Sequence, residues 1–304
     1  MGFPFEFPFS FNQTYYEQNN IYQGQQFSLY SPYIERDYRV KTQLHDHTDK
    51  SDGQNTPFDV VTAYKNAGYG AIVITDHDYL TPNPNVEGIL YIQGVEETIS
   101  PLHILHIGSF NSSSTVYQDV LDEVIKANEI SGLSHTFWSA AYIDIETLNG
   151  LKNFCLVEIE NSSSNPAWSN DYPFGELLSL GRKVWAIGVD DCHDINGSTF
   201  NKCFVEIMVD ELTVPALLES LREGNFYVRE TGSPQITITK DGNTITCTSD
   251  VEASFEFLCR DNLLLQNNTG LSSSYTAKGW ESFVRVRVTA NGKKAWSQPL
   301  WLDN

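Results

Sequence analysis

Histidine is missing from residues 1–44 and 194–304; all seven histidines fall between positions 45 and 193. Basic side chains are also scarce, with 19 Lys and Arg against 39 Asp and Glu and a net charge of −20. A phosphate-backbone footprint needs a basic stripe, so no nucleic-acid polymer is expected as a partner. A small anion stays compatible with this balance, because bound divalent cations reverse the field locally. No run of 18 apolar residues occurs, so no membrane-spanning helix and no membrane partner is expected. The opening Met1-Gly-Phe-Pro-Phe-Glu-Phe-Pro-Phe has neither a basic start nor an aliphatic stretch, which makes it a poor signal peptide. Five cysteines, at 155, 192, 203, 247 and 259, are odd in number and form no CxxC. Reduced thiols in a cytoplasmic protein fit that pattern best.

What is present suffices for a large core. Forty per cent of the 304 residues are apolar and 12% aromatic, enough for one large domain and a small one. Residues 1–39, rich in Phe, Tyr, Asn and Gln, read as an irregular aromatic arm. From residue 40 to about 230, strands and helices alternate as they do in βα units around a parallel sheet. Thr56-Pro57-Phe58-Asp59 starts a helix with a cap, a first-turn proline and an acidic residue. Phe58, Val61, Tyr64 and Ala67 share one face, and Gly68 stops the helix. Ala71–Thr75 is an apolar strand of the kind buried on both sides.

The same grammar recurs with a polar cluster at the end of each strand. Ile89–Val95 runs into Glu96, Leu133-Ser134 into His135, Phe154–Val157 into Glu158, and Val184–Val189 into Asp190-Asp191-Cys192-His193. In barrel-like α/β folds the C-terminal strand ends are where active sites are built. After Cys203–Val209 and the helix Val214–Glu223, the pattern changes at Thr231-Gly-Ser-Pro234 to short strands with DG and NG turns. Residues 234–304 therefore read as a small antiparallel β domain.

Imidazole and carboxylate together are the ligand set of Zn²⁺, Mn²⁺ or Fe²⁺. On a strand, residues i and i+2 point the same way, so His45 and His47 can share an ion, and Asp191 and His193 repeat the relation. A polar loop ending in Gly53 brings Asp52 back toward them. Opposed across a barrel mouth with Glu96, these pairs would hold two or three divalent ions, roughly 3.5–4 Å apart, sharing a bridging hydroxide. HxH alone is weak evidence. HxH, TDH, a strand-end Glu, a strand-end His and DxH in this order are strong evidence together.

That order also resembles a family. His45-x-His47-x₄-Asp52-Gly, Thr75-Asp76-His77-Asp78, Gly94-Val-Glu96, His103-Ile-Leu, His135 and Asp191-x-His193 are similar to the successive motifs of the PHP (polymerase and histidinol phosphatase) superfamily, over residues 40–195. Gly224-Asn-Phe-Tyr227, Thr231-Gly-Ser-Pro234 and Lys294-Ala-Trp296-Ser-Gln-Pro299 resemble its CehA/McbA-like metallohydrolases. The resemblance implies an α/β fold with a distorted (β/α)₇ barrel at 40–233, a β-sandwich at 234–304, and a metal-dependent phosphoesterase, some relatives cleaving carbamates or esters. It implies His45, His47, Glu96 and Asp191 as ligands of a first metal and Glu96, His103 and His135 of a second, with Asp52, His77 and His193 around a third. The attacking group would be metal-bound hydroxide held by Glu96 and Asp191.

Some residues stay open between two roles. His106 stands where the family has glycine, and either replaces His103 as ligand or reaches substrate; the two lie on opposite faces of one strand, so at least one of them reads as a packed or solvated histidine. Trp138 suits stacking on substrate or core packing, and Arg229 a phosphate contact or a surface ion pair. Asp76 and Asp78 read as partners that orient His77 or neighbouring ligands, and Cys192 as a small buried filler. The expected substrate is a small phosphate mono- or diester. Two alternatives stand beside it: a carbamate, carboxylic-ester or amide hydrolase on the same metals, and a non-catalytic metal protein whose β module binds glycan or protein.

Overall fold

In a computed structural model describing residues 26–136, 143–163 and 171–303, two sheets carry the chain. Strand β2 (Tyr38–Gln43) pairs in parallel with β3 (Ala71–Ile74), which is wholly buried, and β3 pairs with β4 (Leu90–Gln93). The connection from β2 to β3 is helix α1 (Pro57–Asn66). Its first turn is held by Thr56, whose hydroxyl accepts from the Asp59 N–H. Val60, Val61 and Tyr64 face the core, whereas Phe58, expected on that face, is exposed. The chain leaves the helix at Gly68, φ +84°, a left-handed turn that glycine makes without a side-chain clash.

A single strand was expected over 89–95; the structure breaks it at Gly94. There β4 ends and β5 (Val95–Ile99) begins a second sheet. A Cβ on Gly94 would lie 2.5 Å from the Val73 side chain, so only glycine lets the strand cross β3 this closely. The second sheet runs β5, β6 (Leu102–Ile107), β7 (Ile130–Leu133), β8 (Leu156–Asn161), β9 (Trp185–Val189). The first two pairings are antiparallel and the last two parallel. Helices α2 (Tyr117–Lys126), α3 (Ile145–Gly150) and α4 (Asp171–Ser179) lie along its connections. The latter two had no periodic signal strong enough to be expected.

The expected closed barrel does not appear as a continuous ladder. Among the described residues two single-residue bridges, Asp46 with Cys192 and His77 with Glu96, help tie the sheets together. Both bridges sit among the polar clusters, so the junction of the two sheets and the histidines coincide. The fold is a mixed α/β arrangement rich in strands, and a large apolar core under both sheets unites residues from Val40 to Trp301.

The first sheet continues through β10 (Cys203–Val209), β11 (Phe226–Glu230) and β16 (Lys293–Trp296), with α5 (Val214–Glu223) packed on it. Residues beyond 233 thus share a sheet with β2–β4. Two long strands, β13 (Thr244–Leu258) and β14 (Leu264–Thr276), pair with each other, and β13 also pairs with β12 (Ile236–Asp241) and β15 (Phe283–Ala290). Strand β14 was not expected, because its Asn, Ser and Gly content is depleted in strands; pairing with β13 overrides that. Strand β1 (Ser28–Tyr30) joins the arm to the chain's last strand, β17 (Leu300–Asp303). Among the described residues no helix is long and apolar enough to cross a membrane.

Candidate metal centre

His45 follows β2 directly, and the two-residue period puts its ring and that of His47 on one side, Nε2 to Nε2 at 3.1 Å. Facing them from the end of β9 is Asp191, whose Oδ1 lies 3.1 Å from His47 Nε2 and 3.5 Å from His45 Nε2. Glu96, next to the Gly94 crossing, stands at the centre. Its Oε2 is 3.1 and 3.2 Å from the Nε2 atoms of His45 and His47, and 3.4 Å from His77 Nδ1. Its Oε1 is 3.0 Å from both His103 Nδ1 and His135 Nε2. One carboxylate therefore presents an oxygen to each of two histidine groups. At the rim Asp52 is 3.3 Å from His193 Nε2, 3.6 Å from His47 Nδ1 and 3.7 Å from His77 Nε2.

These nine side chains come together from both sheets. Three groupings each have ligand atoms within 4.8 Å of one another: His45, His47 and Asp191; His77, Glu96 and His103; and His47, Asp52, His77 and His193. They open into a cleft of about 310 Å³ lined by Asp52, His77, Glu96, His103, His135, Ser163, Asp191 and His193.

The electrostatics are those of charges forced together. Burial pushes the Glu96 carboxyl up, but the facing histidines outweigh it and hold the group well below the usual carboxylate range. Asp191 is likewise lowered, burial being overcome by His45 and His47. Burial would lower His47, yet the facing carboxylates of Asp191 and Glu96 carry it up to about 10. His45 and His135 are raised for the same kind of reason. His77 is lowered, because burial there exceeds the pull of Glu96.

Asp76 does not orient His77; it accepts from the Thr48 N–H and hydroxyl, both at 2.7 Å, and from Ser51 Oγ at 2.8 Å, pinning the loop that carries Asp52. Asp78 accepts from the Thr98 N–H at 2.8 Å, and Thr98 Oγ1 meets His77 Nδ1 at 3.0 Å. Asp190 accepts from the N–H groups of Asn201, Lys202 and Cys203 and from Tyr64, whose hydroxyl also meets Asp46. Glu158, Asn161, Ser163 and Thr98 were not singled out as site residues. Of these only Glu158 carried a signal, as a strand-end carboxylate.

Of the three substrate-binding candidates, His106 lies elsewhere. Its ring is buried between Glu97 Oε1, 3.2 Å, and Glu129 Oε2, 2.6 Å, pointing away from the cleft as the strand period requires for a residue three along from His103. Arg229 is also spent elsewhere, bonded to Glu206 at 2.5 Å and to Ser233 O at 2.9 Å. Trp138 lies outside the described residues.

No protein-family model matches the sequence, and neither does any curated protein. Among solved structures the chain is similar to a two-domain protein from Bacteroides vulgatus ATCC 8482, described as containing a predicted PHP-like metal-dependent phosphoesterase. The TM-score is 0.54 and the identity 17%, over 91% of this chain and 99% of that one. The likeness is one of fold. Weaker and partial is the similarity to endonuclease Q in complex with a 27-mer duplex substrate, at TM-score 0.48 and 13% identity, over 60% of this chain and 56% of the other. The endonuclease from Pyrococcus furiosus scores 0.46 at 13% identity over the same shares.

The endonucleases correct one expectation. Acidic composition was taken to exclude a nucleic-acid polymer, yet endonuclease Q, similar over part of its length, is in complex with a 27-mer duplex substrate. A net charge of −20 is a sum over the whole chain, whereas a substrate meets the field of one cleft, whose sign bound cations decide. Whole-chain charge does not exclude that partner.

Proposed function

We propose that this protein is a metal-dependent hydrolase of small phosphate esters, with two to three divalent ions, Mn²⁺, Zn²⁺ or Fe²⁺, in the cleft around Glu96. The observation that carries the reading is the single Glu96 carboxylate reaching two histidine groups, one through each oxygen. The donor set fits such ions. Asp191 Oδ1 is buried without a hydrogen bond, and the Nε2 atoms of His45 and His47 face each other and that oxygen, an arrangement a shared cation satisfies.

On this reading His45, His47, Glu96 and Asp191 hold one ion and Glu96, His103 and His135 a second, with Asp52, His77 and His193 placed for a third. Divalent ions supply Lewis acidity, lowering the pKa of water and neutralising charge that develops on the ester. The chain's residues do the rest. Buried His45 and His47 exclude bulk solvent from the floor, and half-exposed His193 and His77 with Asp52 form the rim where substrate enters. The same reading takes residues 40–233 as a PHP-type distorted (β/α)₇ unit and residues 234–304 as a CehA/McbA-type β-sandwich. The described lining contains no Lys or Arg, which favours as a second reading an uncharged carboxylic ester or carbamate.

The test is a panel of p-nitrophenyl substrates (phosphate monoester, phosphodiester, acetate and carbamate) with protein loaded with each metal, beside Asp191→Asn. The expected result is phosphate-ester turnover that falls about 100-fold in the variant together with its metal content. Turnover of only the acetate or carbamate moves the reading to the second class; metal-free protein after reconstitution rejects both.

A further inference from the structure

Strand β8 carries a β-bulge where its register against β9 slips. Glu158 pairs with Ile187 and Glu160 with Gly188, leaving Ile159 as an extra residue. In a regular strand, residues three apart face opposite sides. The bulge cancels that alternation, so Glu158 and Asn161 turn the same way and meet, Asn161 Nδ2 donating to Glu158 Oε2 at 2.9 Å. Both are buried and both reach the metal centre from behind.

Asn161 Oδ1 accepts from the Ser163 N–H at 2.9 Å, and three further contacts of the pair go to three candidate ligands on three different strand ends. Glu158 Oε1 faces His45 Nδ1 at 2.6 Å. Glu158 Oε2 accepts the backbone N–H of His135 at 2.7 Å, and Asn161 Nδ2 also donates to Asp191 Oδ2 at 3.1 Å. His135 and Asp191 both have left-handed backbones, φ 24° and 49°, which side chains other than glycine hold only under outside constraint. A carboxylate that accepts from Nδ1–H also decides the tautomer of His45: Nε2 then carries the lone pair toward His47, Glu96 and Asp191.

We infer that Glu158 and Asn161 are positioning residues, a brace that aligns His45, His135 and Asp191 for metal binding through the bulge in β8. The inference rests on the metal-site reading above. Neither residue reaches substrate: the cleft lining includes neither. In Glu158→Gln the amide nitrogen must face either the His45 Nδ1–H or the His135 and Asn161 donors, so at least one contact is lost. Asn161→Ala removes the links to Glu158 Oε2 and Asp191, together with the Oδ1 acceptor of the Ser163 N–H.

The experiment uses Co²⁺ as probe on the full chain, following affinity by calorimetry and ligand geometry by the visible absorption of the bound ion. Glu158→Gln should bind Co²⁺ about 10- to 100-fold more weakly and shift the spectrum, with kcat falling while KM holds. Asn161→Ala should move the same readouts in the same direction by less, and it decides alone if Glu158→Gln does not fold. Affinity within twofold of wild type and an unchanged spectrum in the folded variants overturn the brace, even where melting temperature drops. Wild-type protein that takes up no Co²⁺ overturns the metal reading itself, and the brace with it.

Discussion

Replacing Arg285 by methionine tests how firmly the C-terminal strands are bound to the body that carries the site. Arg285 on β15 and Asp171 at the start of α4 form an almost waterless ion pair, their side chains 3% and 6% exposed. Arg285 Nη2 also donates to Asn262 Oδ1 at 3.0 Å, while Arg287 Nη1 meets the other Asp171 oxygen at 2.6 Å. Burial pushes the Asp171 carboxyl up, but Arg285 and Arg287 outweigh it and hold the group below its ordinary range. Breaking a buried pair from one side costs about 3–5 kcal/mol. Arg287 remains as a partly exposed partner, so the loss should be near the lower end, about 3 kcal/mol. For a chain of this length that is a fall in Tm of about 6 °C. The sign with pH follows from the lowered pKa. The Asp171 contribution is present above the unfolded carboxyl pKa near 4 and is lost as pH falls through the lower folded value. Melting by circular dichroism at pH 7 should show the full deficit, and the deficit should shrink below about pH 4. A fall under about 2 °C at pH 7, or a deficit unchanged in acid, would refute the reasoning.

Two further substitutions separate the site from its surroundings. Burial and neighbouring Glu230 raise the Glu160 carboxyl to about 7. A raised acid loses stability as pH climbs through that value, so Glu160→Gln should be more stable than wild type by about 2 kcal/mol at pH 8 and no different below about pH 4.5, by urea denaturation. Equal midpoints at pH 8 would count against it. Glu129→Gln weakens the closer partner of His106 and should cost about 1–3 kcal/mol while leaving metal content unchanged. Loss of metal in that variant would mean that His106 acts on the cleft after all.

Much of the centre was legible because its residues are local in sequence. His45 with His47, and Asp191 with His193, announce themselves by the strand period, and Asp76-His77 and Glu96 by standing where an apolar run stops. Each such signal needs only a few neighbouring residues and the rule that strand side chains alternate. The same rule left the histidine pair on β6 undecided, since 103 and 106 face opposite ways; which one faces the cleft depends on where β5 and β7 lie. Glu158 and Asn161 were hidden for a stricter reason. Their shared face exists only because β8 slips by one residue against β9, and a bulge is a property of a pair of strands.

By itself the sequence determined the alternation of strands and helices, the change to β structure after Pro234 and the ligand chemistry at the strand ends, because propensity, period and donor type are carried by short segments. The tertiary structure decided the crossing at Gly94, the open junction bridged at Asp46 and His77, and the pairing that makes β14 a strand. It also sent His106 and Arg229 to partners outside the cleft. All of these turn on which distant segments touch, and the free energy of long-range packing and pairing sets that, where local preference is too weak to do so.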